Sequence, residues 1–208
     1  FCIACGMLLA LLPHIVWLIG FVLSKIARFQ ITYRPFGLSA LGLVLIFWSI
    51  MAYGYFVGRW KLQTVEMEYS HADVPEAFDG FKIVHISDLH LSTFDDSPEK
   101  LETFIDEINR HSPDLICFTG DMVTIGKKEA EPYTEMLKSM KARHGVISVL
   151  GNHDFMIYGF TKEADREELV AEFVDYQRDS LGWTLLRNAN RKIVAEDGSE
   201  ITIIGVDN

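Results

Sequence analysis

A short apolar run that stops on chelating side chains constrains this chain more than any other feature. Phe81-Lys82-Ile83-Val84-His85-Ile86-Ser87 is rich in Ile, Val and Phe and reads as a buried strand. It gives way to Asp88-Leu89-His90. In an extended or turning backbone, side chains at i and i+2 point the same way, so a carboxylate and an imidazole can grip one divalent cation there. The C-terminal edge of a strand is also where open α/β sheets keep their ligands. Alone, an Asp-x-His is more often a turn carboxylate beside a surface histidine. The remainder of the chain gives it weight.

Two further runs end in the same way. Asp114-Leu115-Ile116-Cys117-Phe118-Thr119 closes on Gly120-Asp121, and Val146-Ile147-Ser148-Val149-Leu150 closes on Gly151-Asn152-His153-Asp154. Helical segments separate them. Ser97-Pro98-Glu99 has the residue order of a helix start, with Ser as N-cap and Pro at N1. Leu101, Phe104, Ile105 and Ile108 then recur at i, i+3, i+4 and i+7, which makes one apolar face. A second helix is expected over about 130–142, burying Met136, Leu137 and Met140. Alternating strands and helices at this spacing give an α/β fold with a parallel sheet. A longer helix is expected from Thr161, as its N-cap, to Leu181, and Gly182 ends it. Short strands at 184–186, 191–194 and 200–206 come next, the last two joined through an Asp197-Gly198 hairpin turn.

Adjacent strands of a parallel sheet share one edge, so Asp88, His90, Asp121, Asn152 and His153 converge there. Of these, Asp88, His90, Asp121 and Asn152 form a hard, mixed nitrogen and oxygen donor set suited to Mn²⁺, Fe, Zn²⁺ or Mg²⁺. The glycines before Asp121 and Asn152 allow sharp strand exits and close backbone approach to an ion. Phe155, Met156, Tyr158 and Phe160, just past His153, read either as an apolar lip for a substrate or as a core or membrane-facing patch.

The first 61 residues have a different character. Phe1–Leu23 and Phe36–Gly58 are free of charge, and each is long enough to span ~30 Å of hydrocarbon, which takes about 20 residues. Tyr53, Tyr55 and Trp60 cluster where an interfacial aromatic belt would sit. A signal peptide explains one run but not two separated by a basic loop. The expected organisation is a membrane region over 1–61, with transmembrane helices at about 1–23 and 36–58. A connector spans 62–79, in which 65–69 alternates like an edge strand, and a soluble domain occupies 80–208. The first 61 residues hold five Lys/Arg and no acid, so a whole-chain charge of −10 leaves −15 on the remainder. That remainder lacks the basic footprint of a nucleic-acid binder, and no nucleic-acid partner is expected. The loop 24–35 carries three basic residues and the segment after the second span two. The positive-inside rule leans towards an outward-facing body, but the margin leaves the side open. The cysteines Cys2, Cys5 and Cys117 show no metal or disulfide spacing and read as small hydrophobes.

The ordered set Asp88-Leu89-His90, Gly120-Asp121 and Gly151-Asn152-His153-Asp154 resembles the calcineurin-like metallophosphoesterase superfamily. The preceding spans are similar to its membrane-associated bacterial branch. The resemblance covers about residues 80–208 and implies the first part of a four-layer αββα sandwich carrying two divalent metal ions. It implies that Asp88 and His90 bind the first ion, that Asp121 bridges both and that Asn152 binds the second. His153 would be the general acid or transition-state stabiliser, oriented by Asp154. The family pattern continues with further histidines, whereas none comes after His153 here. The chain starts at Phe1 rather than Met, inside an apolar run, and stops at Asn208 directly after a strand, so both ends read as cut, and without the further histidines residues 1–208 alone are expected to bind metal weakly and turn over little. The implied activity is phosphoester hydrolysis at a cell membrane by a multi-pass protein. The implied substrate is a lipid-linked pyrophosphate such as UDP-2,3-diacylglucosamine, of lipid A synthesis. The alternatives are a generic phosphodiesterase and a membrane-tethered binding protein that kept the fold without catalysis.

Overall fold

The computed structural model describes residues 2–158 and 162–207. The chain divides into two compact units, Phe1–Val65 and Glu66–Asn208. In the first, α1 (Cys2–Ala27) and α2 (Arg34–Phe56) pack on each other. Both are long and apolar enough to cross a membrane, and only 11% and 6% of their most apolar windows are buried. Ile3, Leu8, Leu38 and Ile50 stand 69%, 68%, 60% and 64% exposed, unlike the helices of a water-soluble core. His14 stacks on Tyr33 and shares a 3.0 Å hydrogen bond with its hydroxyl.

The second unit is built on a four-stranded parallel sheet in the order β1 (Ile83–Ile86), β2 (Leu115–Phe118), β3 (Val146–Ser148) and β4 (Thr184–Leu185). Sequence order and spatial order coincide, so three successive strand exits stand side by side along one edge. Alternation along β2 sends Ile116 and Phe118 to one face and Leu115 to the other. The first face meets the buried Leu101, Ile105 and Ile108 of α3 (Pro98–Arg110). The second meets Ile193 of a hairpin, β5 (Ala189–Val194) with β6 (Glu200–Gly205), closed at Asp197-Gly198. This buries β2 on both sides, as its continuous apolar sequence requires. Helices, parallel sheet and hairpin make a mixed α/β body. Of the four expected layers these are the ones that the described residues supply.

Local departures have local causes. Ser97 does not cap α3 with its hydroxyl; its carbonyl accepts from Lys100 N–H at 3.0 Å. The helix expected over 130–142 shrinks to α4 (Thr134–Lys138), preceded by 3-10 turns at Lys127–Glu129 and Glu131–Tyr133. Pro132 lies inside that segment, has no amide to donate and cannot continue an α-helical ladder. The longer helix runs as α5 (Glu163–Asp175) and widens into a π turn at Tyr176–Ser180, where Leu181 N–H reaches Tyr176 O at 3.1 Å. Its expected cap, Thr161, lies outside the described residues. The segment 65–69 forms no strand, and Val65, Met67 and Tyr69 are exposed at 81%, 91% and 79%. No neighbouring strand among the described residues offers it a ladder.

Candidate metal centre

Of the extended or turning backbone expected at Asp88-Leu89-His90, the structure shows the turning one. Both Asp88 and His90 adopt left-handed conformations, at φ 55° and 43°, and so does Asp121 at 56°. Asp and His tolerate this region better than bulky residues do, but each still costs energy that the surroundings must supply. The surroundings here are a ladder that continues beyond the regular strands. Asp88 N–H donates to Gly120 O at 2.9 Å, His90 N–H to Asp121 O at 3.0 Å and Leu91 N–H to Met122 O at 3.0 Å. The first two strand exits are thereby tied in register.

The third exit is tied by two carboxylates. Asp121 Oδ1 accepts from His153 N–H at 2.8 Å. Asp154, with no exposed surface, accepts four backbone N–H groups. Its Oδ2 takes those of Asp121 (2.8 Å) and Gly151 (3.0 Å), and its Oδ1 those of Met122 (3.0 Å) and Val123 (3.3 Å). Both oxygens of Asp154 are thus engaged by the backbone of two loops, those that carry Asp121 and His153. Burial pushes its carboxyl up to about 6; the amides of Gly151, Val123 and Asp121 oppose that, and the charge of Asp121 adds to it.

Two glycines make this approach possible. A Cβ on Gly151 would stand 2.2 Å from Asp121 Oδ1, and one on Gly120 would stand 2.1 Å from Gly151 N. Gly120 also sits at φ 98°, open mainly to glycine.

His90, Asp121 and His153 offer donor atoms that all lie within 4.8 Å of one another. His90 Nε2 is 3.9 Å from Asp121 Oδ2, and the two rings meet edge to face at 4.7 Å. Asp88 and Asn152 line an adjoining cavity of about 410 Å³ together with Asp121 and Asp207. Asp207 is paired with Arg187, which leaves Asp88 and Asp121 as the carboxylates that a cation would offset, and the mixed oxygen and nitrogen donors fit a hard divalent ion. Asp88 also accepts a short hydrogen bond from the Ser87 hydroxyl. His85, in mid-strand, shares a 2.8 Å hydrogen bond with Thr119 Oγ1.

Four residues that sequence reasoning did not assign to the centre support it. Thr124 serves both histidines: its carbonyl accepts from His153 Nδ1 at 2.9 Å, and its hydroxyl lies 3.3 Å from His90 Nδ1. A ring donating through Nδ1 keeps its Nε2 for the site. Glu129 in turn holds the Thr124 loop, accepting from the N–H groups of Thr124, Ile125 and Gly126 at 2.8, 2.6 and 3.2 Å. Burial would raise the Glu129 carboxyl, but these amides and the Ser92 hydroxyl hold it below its ordinary value. Tyr158 stacks on His153 at 4.3 Å and accepts from Asn152 Nδ2 at 3.1 Å, which leaves the amide oxygen free of that bond. Asp207 joins from the exit of β6. Thr124 lies only three residues past Asp121, and that spacing was the available signal. Of the apolar group after His153, Phe160 lies outside the described residues, and Met156 is buried rather than part of a lip.

Residues 81–208 match the family model described as calcineurin-like phosphoesterase. The "Uncharacterized metallophosphoesterase YkuE" of Bacillus subtilis is 32% identical over 189 residues, covering 89% of this chain and 61% of that protein. The zebrafish (Danio rerio) "Transmembrane protein with metallophosphoesterase domain" is 27% identical over 79% of this chain and 36% of its own length. The "UDP-2,3-diacylglucosamine pyrophosphatase LpxG" of Chlamydia trachomatis is 43% identical over 82 residues, 38% of this chain and 24% of that protein. The chain thus spans about three fifths of the Bacillus protein and smaller shares of the other two.

Proposed function

The chain belongs to the calcineurin-like phosphoesterase family, and on that premise we propose that it is a membrane-attached phosphoester hydrolase with two divalent ions. The observation that carries this reading is the convergence of His90, Asp121 and His153 within 4.8 Å at the sheet edge, beside Asp88 and Asn152. Asp88 and His90 would hold one ion, Asn152 the other, and Asp121 would contribute to both. When bound, such a pair supplies Lewis acidity to a water nucleophile and neutralises phosphoryl charge. The side chains do the rest. His153, with Nδ1 engaged by the Thr124 carbonyl, gives the proton on Nε2 to the departing oxygen and ends neutral. Asp154 acts indirectly, by fixing the loops that carry Asp121 and His153.

Attachment to a membrane rests on α1 and α2, with their exposed apolar surfaces, and on the name of the zebrafish relative. A lipid-linked pyrophosphate, such as the UDP-2,3-diacylglucosamine named for the Chlamydia relatives, is the substrate proposed.

The test is Mn²⁺-dependent hydrolysis of bis-(p-nitrophenyl) phosphate by the full-length protein in detergent. Activity that vanishes with chelator and in Asp121→Ala is expected. A folded protein inactive with every divalent ion would refute catalysis. UDP-2,3-diacylglucosamine then decides the substrate, since hydrolysis of the small diester alone would leave a generic phosphodiesterase.

A further inference from the structure

The first compact unit carries cations without counter-charges. Phe1–Val65 contains five Lys/Arg and no Asp or Glu. No ion pair among the described residues includes any of the five.

Arg59 differs from the other four in how it is held. The α2 helix ends at Phe56, where Val57 N–H donates to Tyr53 O at 2.9 Å, and the chain tightens into a 3-10 turn at Gly58–Trp60. Arg59 follows Tyr55 at the i, i+4 spacing that lets side chains meet along a helix. Its guanidinium carbon lies 4.2 Å from the centre of the Tyr55 ring and 4.4 Å from that of the Trp60 ring. Two cation–π contacts place the group and use none of its N–H donors. Lys25, at the end of α1, has a single ring, Phe21, at 4.9 Å. Lys61, two residues past Arg59, is exposed and adds a second charge.

The surrounding rings give the depth. Tyr53, Tyr55 and Phe56 are exposed on the last turn of an apolar helix, and amphipathic rings in that place prefer the headgroup level of a bilayer. The anionic oxygens at that level are those of phospholipid phosphates. A planar guanidinium with free donors matches them in a bidentate way. A choline headgroup would bring its own cation against Arg59 and Lys61, whereas an anionic headgroup brings none.

We propose that Arg59, seated on Tyr55 and Trp60, is a docking site for the phosphate of an anionic phospholipid. The proposal rests on the reading that the chain is attached to a membrane, and it is independent of the phosphoesterase chemistry.

The test titrates the full-length protein, purified in detergent, with dioctanoyl phosphatidylglycerol or dioctanoyl phosphatidylcholine and counts bound lipids by native mass spectrometry. The first phosphatidylglycerol should bind more tightly than the first phosphatidylcholine. Its affinity is expected to fall about tenfold in Arg59→Gln, the loss of a charge-assisted hydrogen bond. Arg59→Lys keeps the charge without the planar fork, and Tyr55→Leu keeps the arginine without one ring; both replace exposed side chains, and each should weaken binding severalfold. Unchanged affinity in any of the three variants overturns the proposal, because attraction between charges alone is indifferent to fork and ring. Inorganic phosphate at the same concentration should leave the lipid bound; displacement would make this a site for a soluble anion and overturn the lipid assignment. Attachment is read separately, by washing membranes in alkaline carbonate. A protein that washes off refutes the attachment and the proposal with it. A retained protein without preference for phosphatidylglycerol overturns the headgroup site alone.

Discussion

Replacing Asp154 by Asn separates two roles for this residue, because the substitution keeps its size and removes one acceptor oxygen. Each carboxylate oxygen accepts two backbone N–H groups, Asp121 and Gly151 on one, Met122 and Val123 on the other. Whichever position the amide nitrogen takes, two buried N–H groups lose their acceptor and face a donor instead. At about 1–3 kcal/mol for each unsatisfied buried group, the cost is roughly 2–6 kcal/mol. That is a large share of the 5–15 kcal/mol by which a domain is typically stable. The damage is local as well as global, since the freed amides flank Asp121 and His153. Urea unfolding of wild type and variant in chelator, followed by Mn²⁺ titration of the folded fraction, measures both effects. The expected result is a lower unfolding midpoint and weaker Mn²⁺ binding. A loss of stability below about 1 kcal/mol, with kcat reduced at unchanged metal affinity, would refute the clamp and return Asp154 to the chemistry.

Three other perturbations test the same architecture. Gly151→Ala drives a methyl to 2.2 Å from Asp121 Oδ1, where neither loop can yield without breaking the Asp154 bonds; a destabilisation of about 3 kcal/mol and loss of metal binding are expected in thermal melts with and without Mn²⁺. The Glu129 carboxyl is held below its ordinary value of 4.5, so its contribution is present above that pH and lost as pH falls through the depressed folded value; hydrogen exchange at the Thr124–Gly126 amides should quicken there, and Glu129→Gln should remove the dependence. Tyr158→Phe removes the acceptor that orients Asn152 and should weaken Mn²⁺ binding by about tenfold, read by titration, with stability nearly unchanged.

What the sequence revealed and what it hid divide along a physical line. Strands of four or so apolar residues ending in Asp, Asn or His are covalent facts, and parallel pairing in sequence order was enough to bring Asp88, His90, Asp121, Asn152 and His153 to one edge. The apolar period of 98–110 likewise predicted a helix whose buried face is the one observed. Boundaries were less legible, because they depend on single residues such as Pro132, whose effect competes with the periodicity around it. Least legible were the contacts that give each side chain its job. The family resemblance implies that Asp154 orients His153. The turn at His153–Phe155 buries Asp154 under the amides of the β2 loop, through which it acts on the loop carrying His153. The partner of His153 is a backbone carbonyl, and a carbonyl has no sequence signature. The strain at Asp88, His90 and Asp121 obeys the same logic. Left-handed backbone at three neighbouring chelating residues persists because ladder bonds and the Asp154 clamp together hold it. The geometry of the three strand exits is therefore held by backbone amides and one buried carboxylate.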